Sequence, residues 1–542
     1  MHELYQAVRG ELPRMGKPGS RSALLHFEQL PSNAKLSVIE AYRVTRLRWI
    51  GATGVILIAI GGLGAGALPV VNSTYIGYPL GSLLSRMLQT STILCFIGIG
   101  LLVVAWLKLA AYVGVYLRGK NQHQGIVTNS FIWRTYLAWS LPFLLTAPMF
   151  SQDIYSYLAN GSIVRQGLDP YSAGPIDILG ADDPLARSVP FIWAHSPSPY
   201  GPVSLGLARI ISAMTGDNIA LGVFAHRVVS IAGIALAAWA LMTLAQRCRV
   251  QPQAALWLGI LNPLTIIHLV AGIHNEAILL GLLLGGFELG LRGIDKLMLG
   301  WHTQSMLLLC AGSFLISCAG MVKVTGFIGL GFIGVFHARV LHGREHKHFY
   351  SWAVAILSQV FILIGSVILV TLISGINTGW ISAQGGAVSI RSWMSAATGV
   401  GVVFGWLGMV LDLGDHTEAI LSVTRAVGIA VAGIFMLRML IGTYRGVIHP
   451  LGALGISTFV LVILFPVVHP WYMLWAIFPL AGWANRILFR GMVMGYSAII
   501  SFFVLPRGLS LPPTTVLSIY IGAAIGFSIL ASIYWWVTRR VR

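Results

Sequence analysis

Runs of about 20 apolar residues recur along nearly the whole of this chain, and that spacing restricts its fold more than any other feature. A backbone in hydrocarbon must satisfy its N–H and C=O groups internally, so such runs predict helices packed together in lipid. Composition agrees. Of 542 residues, 56% are hydrophobic and 10% charged, and mean hydropathy is +0.80; a soluble domain carries roughly 25% charged residues. The expected fold is an all-α polytopic membrane protein with no separate soluble domain.

Apolar runs near 49–70, 88–116, 131–150, 219–247, 252–271, 274–292, 303–321, 326–343, 352–374, 420–443, 449–467, 471–485, 488–506 and 513–538 predict about 14 transmembrane helices. The formal charge of +18 follows the membrane and gives no reason to expect a nucleic-acid partner. Arg9, Arg14, Lys17, Arg21, Lys35, Arg43, Arg46 and Arg48 precede the first run, and Arg539, Arg540 and Arg542 follow the last. Arg118 with Lys120, and Arg344 with Lys347, fall on the same side. This positive-inside pattern predicts a cytoplasmic segment at 1–48, a transmembrane domain at 49–538 and a cytoplasmic tail at 539–542. Residues 151–218 and 375–419 become outer loops. Within the second, the Gly-rich stretch 396–411 reads as a re-entrant or surface segment that begins and ends outside, because a full crossing would put Arg438 and Arg445 outside. The first run starts too late, and is too long, for a cleaved signal peptide. Cys95, Cys248, Cys310 and Cys318 form no CxxC pair, so neither a disulfide framework nor a metal site is expected.

Acidic residues are few, and only Asp153, Glu276 and Glu288 sit at or within the ends of apolar runs. Glu288 has Arg292 one helical turn away, which reads as a plain ion pair. Asp153 stands at the water-facing end of its run, in Phe150-Ser-Gln-Asp-Ile-Tyr-Ser-Tyr157, where a carboxylate is costly and seldom kept without a use. It is the candidate catalytic base. The loop 151–218 is too long to lack elements of its own, and one or two amphipathic helices on the membrane surface are expected, the first starting near Gln152. On that helix Asp153, Tyr157 and Asn160 share a face, a polar stripe suited to a sugar. Gly272-Ile-His-Asn-Glu276 opens a later span. Asn275 could cap that helix, with Glu276 favoured by its dipole; in the functional reading His274, Asn275 and Glu276 bind sugar hydroxyls or orient the base. His and Glu two apart face different sides of a helix and no HExxH occurs, so no metal is expected.

Lys323 lies between two apolar runs with no acidic neighbour in sequence, and an amine so placed needs an anionic partner. A phosphate would serve; so would helix-end carbonyls. Arg227 beside His226, Arg391, Arg425 and His469 are further outer-side candidates for phosphate. Tyr200, Trp471 and Tyr472 either stack on a sugar or belong to the interfacial aromatic belt. A base at the outer surface, cations for a phosphate and a large apolar body suit glycosyl transfer from a lipid-linked sugar phosphate to a hydroxyl, with no cofactor.

The motifs Phe150 to Tyr157, Gly167-Leu-Asp-Pro-Tyr171 with Gly174-Pro175, Pro199-Tyr-Gly-Pro202, Leu261-Asn-Pro263 before Gly272 to Glu276, Lys323, and Pro470-Trp-Tyr472 stand in this order. As a set they resemble the actinobacterial polyprenyl-phosphomannose-dependent alpha-1,6-mannopyranosyltransferases of the GT-C superfamily. The similarity runs from residues 61–66 to the last spans, and within the family looks closer to the member that extends the distal mannan backbone. The resemblance implies an inverting plasma-membrane enzyme with a periplasmic site. Its donor would be polyprenyl-phosphate-mannose, and its acceptor a phosphatidylinositol-mannoside or lipomannan precursor of lipomannan and lipoarabinomannan. Asp153 matches the acidic residue of the first outer loop, but the position reads Gln-Asp where a double acid is usual, which leaves any second acid to be supplied by Glu276 or not at all. The competing readings are a transferase for another polyprenyl-phosphate sugar, such as arabinofuranose, and a lipid-linked-sugar transporter or flippase. The latter should show interrupted helices in two related halves, and no internal repeat is evident.

Overall fold

A computed structural model describes residues 35–71, 73–115, 125–343, 348–383, 391, 392 and 394–540. Most of the basic head (Arg9, Arg14, Lys17 and Arg21), the pairs Arg118 with Lys120 and Arg344 with Lys347, and Arg542 lie outside the described residues.

All regular structure among the described residues is helical. Nine of these helices are long and apolar enough to cross a membrane: Val38–Ala65, Leu88–Val113, Ile219–Arg247, Glu276–Met298, His302–Gly320, Val324–His342, His348–Ser374, Thr417–Tyr444 and Pro513–Ile533. The chain is a multi-pass membrane protein. Its first helix starts at Val38, earlier than the apolar run, because Ser37 and Glu40 form a reciprocal capping box.

Five expected spans are not long single helices. The runs 449–467 and 488–506 hold the shorter helices Pro450–Leu464 and Ile487–Ile500. Two of the other three break at prolines, which lack the N–H a helix interior needs, and the third is shortened behind one. The run 131–150 splits into Asn129–Ser140 and a tight turn at Leu141–Leu145 containing Pro142. The run 471–485 becomes a turn at Pro470–Met473 followed by Leu474–Trp483 with Pro479 inside it. The run 252–271 splits at Asn262-Pro263 into Pro252–Gly259 and a wide turn at Thr265–Ala271. Asn262 repairs that break: its Nδ2 donates to the Leu258 carbonyl and to Ser497 Oγ, and its Oδ1 accepts from the Leu264 N–H. Irregular backbone persists in a bundle only where protein supplies such partners.

The loop 151–218 folds into Asp153–Arg165, three short helices (Pro175–Leu179, Pro184–Ser188, Phe191–Ala194) and Pro202–Thr215. Its first helix starts where expected but does not lie on a surface. Ile154 through Val164 are all buried, because Pro202–Thr215 and two short helices pack over it. The loop is therefore a cap with its own apolar cluster around Ile154, Leu158 and Leu185.

The Gly-rich stretch forms the helix Ala396–Val410, which turns back along the start of Thr417–Tyr444, with Gly401 against Leu421 and Gly405 against Thr417. Glu288 forms the expected pair with Arg292, Oε1 to Nε 2.7 Å, and also faces Arg247 at 3.4 Å.

Candidate active site

Three breaks in the helical backbone meet under the cap, and each delivers a charged side chain to one cavity. The first is the stretch 146–152, which contains Phe150 at φ +62°, a conformation uncommon for a residue with a side chain. Ser151 Oγ then accepts the Asp153 N–H at 3.1 Å, and Asp153 occupies the first turn of its helix, where the dipole favours an anion. The second break is Gly272 to Asn275. A Cβ on Gly272 would lie 2.6 Å from the His268 carbonyl and 3.0 Å from that of Met149, so only glycine lets the two stretches approach so closely. Ile273, at φ +57°, turns the chain again and aims His274 back at Asp153. The third is Lys323, extended at φ −152° between His302–Gly320 and Val324–Phe327. Gly201 of the cap sits directly on the Met321 carbonyl, which brings Tyr200 down beside this lysine.

The cavity between them measures about 310 Å³. On its cap side lie Asp153, Tyr157, Asn160 and Tyr200; on its bundle side lie His274, Glu276, Lys323, His469, Trp471 and Tyr472. Asp153 Oδ1 accepts the Trp193 Nε1–H at 3.2 Å, and Oδ2 faces His274 Nδ1 at 3.5 Å. About a quarter of the Asp153 side chain, 23%, stays accessible. His274 stacks on Trp471 at 3.7 Å, and Trp471 on His469 at 4.7 Å, so a row of flat rings floors the cavity. In the same cavity, Lys323 Nζ donates to Glu276 Oε1 at 2.8 Å and to Tyr472 Oη at 2.9 Å, and lies 4.0 Å from the Tyr472 ring centre. An ammonium has three N–H groups, so one remains for a ligand after these two bonds.

Burial, and next the neighbouring Glu276 carboxylate, raise the Asp153 pKa to about 6. Burial, then His469 and Lys323, hold His274 well below the usual histidine range, so it stays neutral. His274 thus faces the carboxylate without neutralising it. With Asp153 as the candidate base, which must be ionised to act, activity is expected to fall as pH drops through about 6. Glu276→Gln removes the repulsion and moves that acid limb to lower pH; Trp193→Phe removes a hydrogen bond that favours the carboxylate and moves it higher. Rate measurements against pH on the two variants check both signs.

Four of the expected site residues lie elsewhere. Asn275 neither caps its helix nor meets the cavity: its Nδ2 donates to Ser204 Oγ at 2.8 Å. Arg227 is fully buried and bonds backbone carbonyls, so it offers nothing to a phosphate. Arg391 pairs with Glu418 on the surface, where both are exposed. Arg425 is buried, and its Nε donates to Thr398 Oγ1 at 3.1 Å, away from the cavity wall. His226, beside Arg227, bonds the Gly222 carbonyl. Lys323, with no acidic neighbour in sequence, finds an anionic partner in Glu276 through the fold. Sequence reasoning missed Trp193, Ser156, Thr325 and Trp475, which all line the cavity. Nothing in the loop sequence marks Trp193, forty positions from the acid it touches. Among the described residues no three His, Cys, Asp or Glu side chains converge as a metal site would require.

The bundle and the relatives that follow make this a membrane-embedded glycosyltransferase, with this cavity as its candidate site. Within this class the chain belongs to the alpha-(1->6)-mannopyranosyltransferase family. Residues 48–339 match the family described as alpha-(1->6)-mannopyranosyltransferase, N-terminal domain, and residues 397–532 match the MptB C-terminal domain. The chain is 55% identical to alpha-(1->6)-mannopyranosyltransferase B of Corynebacterium glutamicum, over 98% of this chain and 92% of that one. It is 40% identical to a probable alpha-(1->6)-mannopyranosyltransferase of Mycolicibacterium smegmatis, over 90% and 88%. Identity to alpha-(1->6)-mannopyranosyltransferase A of Mycobacterium tuberculosis is 30%, over 85% and 84%. Among solved structures, the Archaeoglobus fulgidus oligosaccharyltransferase aligns with 77% of this chain and 53% of its own, at TM-score 0.36 and 13% identity.

Proposed function

We propose that this protein transfers mannose from polyprenyl-phosphate-mannose to a hydroxyl of a growing alpha-1,6-mannan, of the kind found in lipomannan and lipoarabinomannan. Family membership supports the sugar and the linkage. The observation that carries the chemistry is that Asp153 and Lys323 line one cavity beneath the cap.

In this reading the acceptor hydroxyl lies against Asp153 and attacks the anomeric carbon. Its oxygen forms the new C–O bond, its proton goes to the Asp153 carboxylate, and the bond to the phosphate oxygen breaks with inversion. The electron pair leaves with the polyprenyl phosphate, whose charge Lys323 faces with its remaining N–H. A carboxylate raised toward pH 6 accepts a proton more readily than an ordinary one, yet stays ionised near neutrality. Tyr157, Asn160 and His274 would hold the sugars by hydrogen bonding, and Tyr200, Tyr472, His469 and Trp471, whose two faces are covered by His274 and His469, would complete the walls. The acceptor would be a phosphatidylinositol-mannoside or lipomannan precursor. The site would face the periplasm, with both termini cytoplasmic, as the basic residues on the opposite side imply.

Membranes carrying the protein, given radiolabelled polyprenyl-phosphate-mannose and a synthetic mannoside, should yield a product whose new linkage is alpha-1,6. Absence of that product, or preference for a polyprenyl-phosphate-arabinose donor, overturns the assignment.

A further inference from the structure

Arg227, placed by sequence among the phosphate ligands, has a different occupation. It lies in the third turn of Ile219–Arg247 with no accessible surface, and among the described residues it pairs with no carboxylate. A buried guanidinium needs every N–H satisfied, and here backbone carbonyls meet that need. Nη1 donates to Phe143, to Leu144 at 3.4 Å and to Thr146 at 2.8 Å; Nη2 donates to Ala147 at 3.2 Å. On its other side Nε donates to Val270 at 3.2 Å and Nη2 to Ala271 at 3.2 Å.

These carbonyls belong to two separate pieces of chain, and those pieces carry the site. Phe143 to Ala147 leads to Asp153; Val270 and Ala271 lead to His274 and Glu276. Beyond the guanidinium the pieces touch directly, the Met149 N–H donating to the Ala271 carbonyl at 3.2 Å. Each then carries one non-glycine residue in the left-handed region, Phe150 and Ile273. That conformation is unfavourable for a bulky or β-branched residue and persists only where its surroundings dictate it. A lysine has three donors on a flexible stem and does not reproduce a planar fork that grips two chains at once.

We infer that Arg227 is a positioning residue: its guanidinium staples the 143–147 stretch to the 270–271 stretch and so sets Asp153 against His274 and Glu276. The inference rests on the reading of Asp153 as the base. An error of about 1 Å in such an arrangement costs on the order of 100-fold in rate.

The test compares wild type, Arg227→Lys and Arg227→Gln in lipid nanodiscs by hydrogen exchange and by transfer kinetics. In both variants the amides of Met149, Phe150 and His274 should exchange at least tenfold faster, while those within Ile219–Arg247 and Glu276–Met298 keep their protection. The kcat should fall on the order of 100-fold, with KM for polyprenyl-phosphate-mannose within about threefold, and the acid limb should move below pH 6 as Glu276 loses its hold on Asp153. Unchanged exchange at the three amides, exchange raised uniformly through the bundle, a retained kcat, or failure of both variants to accumulate would each overturn the staple. Exchange reports on the two stretches whatever Asp153 does. Wild-type transfer by Asp153→Asn would therefore sink the base reading while leaving the exchange result standing.

Discussion

Asp153→Asn is expected to lower mannosyl transfer by at least about 10³-fold while polyprenyl-phosphate-mannose still binds. General-base catalysis alone is worth roughly 10²–10⁴, and here one group carries it: Glu276 is tied to Lys323, and His274 is buried and neutral. The substitution is close to isosteric. The Asn Oδ1 can still accept from Trp193 and the side chain can still face His274, so helix Asp153–Arg165 should keep its place and melting should change little. Transfer within tenfold of wild type would remove Asp153 as the base. Loss of donor binding to the same extent as transfer would instead mark it as a binding group.

Lys323→Met carries the second large effect, and it has two parts that a double variant separates. Removing a cation that faces a departing phosphate should cost about 10²–10³ in kcat. The same change strands Glu276, only 3% exposed, without its partner. Breaking a buried pair costs roughly 3–5 kcal/mol, and the lower end applies here because a quarter of the lysine side chain is accessible. Lys323→Met/Glu276→Gln removes the stranded charge. Its melting temperature should return most of the way to wild type, while its kcat stays low. If transfer recovers along with stability, Lys323 serves the fold and not the phosphate.

Much of the site was legible because its residues are conspicuous against an apolar background. Asp153, Glu276 and Lys323 stand out in a chain where charge is scarce, and all three reach the same cavity. The spacing of Asp153, Tyr157 and Asn160 placed them on one face, and they line the cavity together. The same reasoning failed for the arginines, since charge at a span end does not say what it will meet: Arg227 meets carbonyls and Arg391 meets Glu418. It also ran helices through Asn262-Pro263 and Pro142, where the fold turns out of the helix and side chains take up the freed backbone groups.

The sequence by itself determined the solvent and the class of fold, and it marked the expensive groups, because hydropathy and the cost of taking a charge out of water belong to each residue where it stands. Only the tertiary structure decided the partners. Lys323 finds Glu276 across 47 positions, Trp193 finds Asp153 across 40, and Arg227 gathers carbonyls from two stretches on either side of it in the chain. Such pairings have no local signature. They arise from where three interrupted helices bring their ends together, and that depends on packing over the whole bundle.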